Sequence, residues 1–127
     1  MHLNHLDLHV PDPAATAEFF VTYFGFRQVA VRANGGLIIL AGDAGLELVL
    51  SHAVAKFGSI DQSETRQVSY HIGFIIENRD DVEALHRNMA AGGIDLEAPR
   101  EMRGGWLFYC YAPGHVLVEV GARSLLR

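Results

Sequence analysis

The sequence predicts an α+β fold: two β-α-β-β-β modules with the helices outside the sheets. Three observations predict it. A strand-like alternation, Asn4-His5-Leu6-Asp7-Leu8-His9-Val10, returns as Tyr70-His71-Ile72-Gly73-Phe74-Ile75-Ile76, 66 positions later. A helix signal follows each copy, and three further strand signals follow each helix. We read residues 1–127 as one domain, with module one over about 1–51, a connector over about 52–68 and module two over about 69–127.

In module one the first strand ends at Val10, and Asp12 is a natural N-cap with Pro13 at the first helical position. Helix then runs over Ala14 to Phe24 and stops at Gly25. A strand follows around Phe26 to Arg32, the Gly35-Gly36 pair turns the chain, and Leu37 to Ala41 forms the next strand. After the turn at Gly42-Asp43-Ala44-Gly45, Leu46 to Ser51 completes the module. Module two runs in the same order. Asn78 or Asp80 caps a helix in which Val82, Leu85 and Met89 recur at helical spacing, and Gly92-Gly93 stop it. Strands are expected around Ile94 to Glu97, over Trp106 to Tyr111 after Gly104-Gly105, and over Val116 to Gly121 after Ala112-Pro113-Gly114.

The balance of residues narrows the function classes. Half the residues are hydrophobic and 20% charged, as in an ordered globular protein. Ten basic against fifteen acidic residues give a net charge of −5, without the basic field of a nucleic-acid binder. One cysteine, Cys110, precludes an internal disulfide and a multi-cysteine zinc site, and it fits a reducing compartment. No apolar run is long enough to cross a membrane, and the first residues lack the pattern of a secretory leader. The expectation is a cytoplasmic protein that binds a small molecule and neither nucleic acid nor membrane. Seven histidines are the unusual feature.

Side chains alternate between the faces of a strand. With Leu6, Leu8 and Val10 turned to the helix, His5, Asp7 and His9 share the other face. The same rule places Glu47, His71 and Glu119 opposite their helices. If the two halves pair face to face, His5, Glu47, His71 and Glu119 converge in one trough. Two imidazoles and two carboxylates form a nitrogen/oxygen set suited to a divalent metal with open positions. Its identity is left among Ni, Co, Mn, Fe and Zn. His9 and Asp7 are placed near the trough as substrate contacts, with Trp106 and Tyr109 as aromatic lining. His86 and His52 are read as solvated, as are Lys56 and Arg66 in the connector. His115 is read as part of a turn, and Cys110 as a small buried hydrophobe.

With these residues in place, the chain resembles the vicinal oxygen chelate superfamily, which includes glyoxalase I, fosfomycin-resistance proteins, ring-cleaving dioxygenases and bleomycin-resistance proteins. The resemblance is carried by His5 in "LNHLDLHVPD", by "AEFFVTYFGF", by Glu47 in "LELVL", by His71 in "SYHIGF" and by Glu119 in "APGHVLVEV". It implies paired modules forming an open, barrel-like mixed sheet around one metal, commonly in a homodimer. It also implies that His5, Glu47, His71 and Glu119 are the ligands, a pattern nearest the glyoxalase I branch. Glu47 and Glu119 are then candidates for the catalytic base as well as for ligation.

A cation so held leaves about two of six octahedral positions for neighbouring substrate oxygens, and it can stabilise an enolate-type intermediate. Lyase or isomerase chemistry follows. Two alternatives stand beside it: an extradiol-type Fe(II) dioxygenase, which needs only two His and one carboxylate, and a non-enzymatic protein that binds an antibiotic or another small ligand in the same trough.

Overall fold

The computed structural model describes residues 1–52 and 70–123. The chain divides into two compact units, Met1–Arg66 and Gln67–Arg127. Both expected β-α-β-β-β modules are present within them, each an open mixed sheet with one helix on it. The predicted α+β class is borne out.

In the first unit β1 (His5–His9) leads into α1 (Pro13–Phe24), followed by β2 (Arg27–Arg32), β3 (Leu37–Ala41) and β4 (Glu47–Ser51). The helix begins and ends where its local chemistry requires. Asp12 is the N-cap and its carboxylate accepts from the Ala15 amide at 3.2 Å. Pro13 opens the helix without forfeiting a hydrogen bond. Gly25 closes it with φ 71°, the left-handed backbone that glycine enters without a Cβ clash.

The sheet order is β1-β4-β3-β2, with β1 and β4 parallel and the other pairs antiparallel. The first and last strands of the module are thus neighbours. Phe20, Leu40, Leu48 and Leu50 are fully buried between helix and sheet. Phe20 meets Phe19 and Phe26 edge-on, with ring centroids 5.1 and 5.8 Å away, the offset geometry that aromatic quadrupoles favour.

The second unit repeats the plan with one departure. β5 (Ile72–Ile75) and α2 (Arg79–Ala91) are followed by β6 (Asp95–Leu96), β7 (Arg100–Met102), β8 (Gly105–Ala112) and β9 (Val116–Arg123). Asn78, not Asp80, is the N-cap, accepting from the Asp81 amide at 2.9 Å. The single strand expected around Ile94 to Glu97 is joined by a second piece, and both pair with β8. Pro99 lies between them and has no N–H to give to a ladder, so the pairing breaks there. The order is β5-β9-β8-β6, and β5 runs parallel to β9. Val82 and Met89 of α2 and Val118 and Val120 of β9 are fully buried.

Candidate functional site

In the first unit His5 is the direct partner of Glu47 across the parallel β1–β4 pair. Facing residues of adjacent strands project to the same side. That side is opposite α1, because the flanking Leu48 is fully buried toward the helix. The His5 ring is held by its Nδ1, 3.0 Å from the Asn4 side-chain oxygen. An amide oxygen only accepts, so in this contact Nδ1 is the donor. The Glu47 side chain makes no hydrogen bond or ion pair among the described residues. Two positions along the strand, Asp7 is engaged differently from the expectation of a substrate contact. Its carboxylate accepts a 2.6 Å hydrogen bond from the Ser51 hydroxyl, which ties β1 to β4. His9, opposite Ser51, closes this face.

In the second unit Glu119 on β9 is buried, 6% exposed, and faces Gly73 on β5. A Cβ at residue 73 would lie 3.7 Å from Glu119 Oε2, so the glycine leaves open the space beside the carboxylate. His71 stands just before β5, on the same side. Its Nε2 is 3.6 Å from Glu119 Oε1, and its side chain is 39% exposed. Tyr109 on β8 is the direct partner of Glu119 from the other flank. Its hydroxyl donates to Glu119 Oε1 at 2.8 Å, and its ring meets the His71 ring edge-on at 5.4 Å.

The hydrogen bond to Glu119 is the main cause that raises the Tyr109 hydroxyl above its ordinary pKa of 10, with desolvation second; Arg103 and Arg100 pull weakly the other way. Tyr109 therefore stays a proton donor across the neutral range. Beside this group opens a cavity of about 280 Å³, walled by His71, Tyr109, Tyr111 and Leu117 from the sheet and by Leu96 and Arg100 from the β6–β7 segment.

Trp106, expected beside Tyr109 as substrate lining, lies on the other face. Its indole N–H donates to Glu83 of α2 at 2.9 Å, and the Arg79 guanidinium stacks 3.6 Å above its ring. It stands three positions before Tyr109 on the same strand, an odd offset, so alternation turns it to the helix. His86 is also not simply solvated: its Nε2 is 3.0 Å from the Glu97 carbonyl, and its ring meets Phe108 edge-on at 5.0 Å. His115 lies at the β8–β9 turn with φ 58°, its ring edge-on to Tyr111. Lys56 and Arg66 fall outside the described residues.

Sequence reasoning missed the Tyr109–Glu119 hydrogen bond. The signal was available: pairing β8 and β9 outward from the Ala112-Pro113-Gly114-His115 turn sets Tyr109 opposite Glu119. Among the described residues, neither unit by itself gathers three or more His, Cys, Asp or Glu side chains into a metal-binding group. Each unit offers one histidine and one glutamate.

The family model described as the Glyoxalase/Bleomycin resistance protein/Dioxygenase superfamily matches residues 2–120. The chain belongs to that superfamily. A relative in Pseudomonas aeruginosa, the uncharacterized protein PA2024, is 31% identical over 109 residues, covering 85% of this chain and 77% of its own. Among solved structures, a possible glyoxalase from Bacillus cereus is similar at 26% identity and TM-score 0.78, covering 94% of this chain and 97% of that one. The genomically encoded fosfomycin resistance protein FosX of Listeria monocytogenes shares the fold at 22% identity and TM-score 0.79, over 98% of this chain and 95% of that one. Superfamily membership accounts for the duplicated strand-helix-strand plan and for the parallel first and last strands of each module.

Cys110 lies on the helix-facing side of β8, 1% exposed. Burial first, and the Asp95 charge second, push its thiol up to about 12 from an ordinary 9.0. The unfolded chain releases this proton at lower pH than the fold does. The thiol therefore favours the native state fully below about pH 9, and that contribution is lost as pH rises toward about 12. In a thiol-reagent assay near neutral pH, Cys110 is expected to remain unmodified in the folded protein and to react completely in guanidinium. Rapid modification of the folded protein would contradict its burial.

Proposed function

We propose that this superfamily member is a divalent-metal-dependent, glyoxalase-like lyase or isomerase, in which His5, Glu47, His71 and Glu119 hold one cation. The observation that carries the reading is the approach of His71 Nε2 to Glu119 Oε1, 3.6 Å apart on the helix-free face, beside a glycine that leaves room. The His5–Glu47 pair on the corresponding strands of the first unit supports it. Two imidazole nitrogens and two carboxylates match the hardness of a first-row divalent ion. When bound, such a cation supplies Lewis-acid polarisation of two neighbouring oxygens on a small substrate.

The protein's own groups do the rest. A glutamate carboxylate oxygen takes the proton from the carbon beside a carbonyl and returns it to the neighbouring position, general acid–base work commonly worth 10²–10⁴-fold. Tyr111, Leu96 and Leu117 line an apolar wall against which the body of the substrate packs and from which water is displaced. His9, which shares the helix-free face of β1 with His5, is assigned as a further substrate contact. The assembly we propose is a homodimer.

Elemental analysis of the purified protein, followed by chelation and re-addition of Ni, Co, Mn, Fe or Zn, tests the reading. Turnover of the hemithioacetal of methylglyoxal and glutathione is the first activity to assay. About one ion per set of four ligands is expected, with activity lost on chelation and restored by at least one metal. Protein that binds none of the five ions overturns it.

A further inference from the structure

The two glutamates are not equivalent in their surroundings. Glu119 is 6% exposed, and one of its oxygens, Oε1, receives the Tyr109 hydroxyl hydrogen at 2.8 Å. Its other oxygen, Oε2, lies beside Gly73, 3.7 Å from where a Cβ would stand. Tyr109 is itself fixed, because β8 pairs with β9 along their full length and its ring abuts His71. Glu47 has no such tether among the described residues.

We infer that Tyr109 is a positioning residue that pins Glu119 as a fixed donor, and that Glu47 is left as the carboxylate free to move a proton. The physical case is direct. A short hydrogen bond from a neutral hydroxyl to a carboxylate is charge-assisted and sets the plane of the carboxyl group. A carboxylate held in one plane suits holding more than shuttling. The Glu47 side chain has no such hydrogen bond among the described residues, so none fixes the orientation of its carboxylate. Tyr109, expected from sequence as a substrate contact, thus spends its hydroxyl on the protein and offers only its ring to the cavity.

The duties assigned to the two glutamates rest on the proposed metal binding; the pinning of Glu119 does not. The test therefore has a metal-free arm. In crystals of the chelated protein, Glu119 is expected in a single rotamer, and in Tyr109→Phe it is expected to rotate or to split between conformers. In cobalt titrations Tyr109→Phe is expected to weaken binding by about 10–100-fold, as loss of a supporting hydrogen bond to a ligand usually does, and to change the visible absorption of the bound cobalt. Glu119→Gln is expected to lose more cobalt affinity than Glu47→Gln. Circular dichroism of each variant checks that the fold is kept.

A Tyr109→Phe protein with Glu119 unmoved overturns the inference. So does one with unchanged cobalt affinity and spectrum, or a reversed order of the two glutamine variants. If the wild type binds no cobalt while Glu119 still moves in Tyr109→Phe, the pinning stands, but the metal-centre reading and the division of duties fall.

Discussion

Replacement of His71 by alanine is expected to lower metal affinity by more than about 100-fold and to carry turnover down with it. A residue that only supports a ligand costs about 10–100-fold when removed, and a ligand itself must cost more. Within the second unit His71 supplies the imidazole nitrogen beside Glu119 Oε1, at 3.6 Å. Its side chain is 39% exposed and contributes little to the core, so the fold is expected to survive the change. Metal content by elemental analysis, together with turnover at saturating added metal, checks this. If His71→Ala retains its ion and its rate, His71 is not a ligand.

The largest effect on stability is expected at Phe20. It is fully buried, packs edge-on against Phe19 and Phe26, and sits where α1 meets the sheet. Truncation to alanine removes the transfer energy of the ring and leaves a cavity that rigid neighbours fill only partly, a loss of about 3–5 kcal/mol. Against a total stability of about 5–15 kcal/mol, that shifts the melting temperature by roughly 10–20 °C. Val29 provides the contrast. It is 49% exposed on β2, and its replacement by alanine is expected to change stability by less than about 0.5 kcal/mol. Differential scanning calorimetry of both variants decides the comparison; equal shifts would mean that the core is not centred on Phe20.

Much of the fold was legible in the sequence because its signals are local. Asp12, Pro13 and Gly25 each satisfy or end a helix by their own backbone chemistry, and the strand alternation around His5 and His71 needs no partner to be recognised. What failed were features fixed by pairing. The split between β6 and β7 depends on how Pro99 meets a neighbouring ladder. The orientation of Trp106 was hidden because Trp106 to Tyr111 is apolar at every position, and alternation without contrast names no face.

The candidate site was legible only in part, for the same reason. The placement of Glu47 and Glu119 away from the helices follows from the leucines and valines that flank them. The partner of each carboxylate is set by register between distant segments. Asp7 shows this most clearly: alternation puts it on the trough face as a substrate contact, and only the approach of Ser51 reveals that its carboxylate is already engaged.

That the opening strand of each module lies against the closing one has a consequence for how the protein is made. As the chain leaves the ribosome, β1 must wait for some forty more residues before β4 exists to accept its hydrogen bonds, and β5 waits similarly for β9. During that interval a bare strand edge is exposed, open to pairing with any nascent neighbour. The charged and polar side chains of β1, His5, Asp7 and His9, stand along that waiting edge. Charged side chains on an unpaired strand oppose its pairing with a stray neighbour.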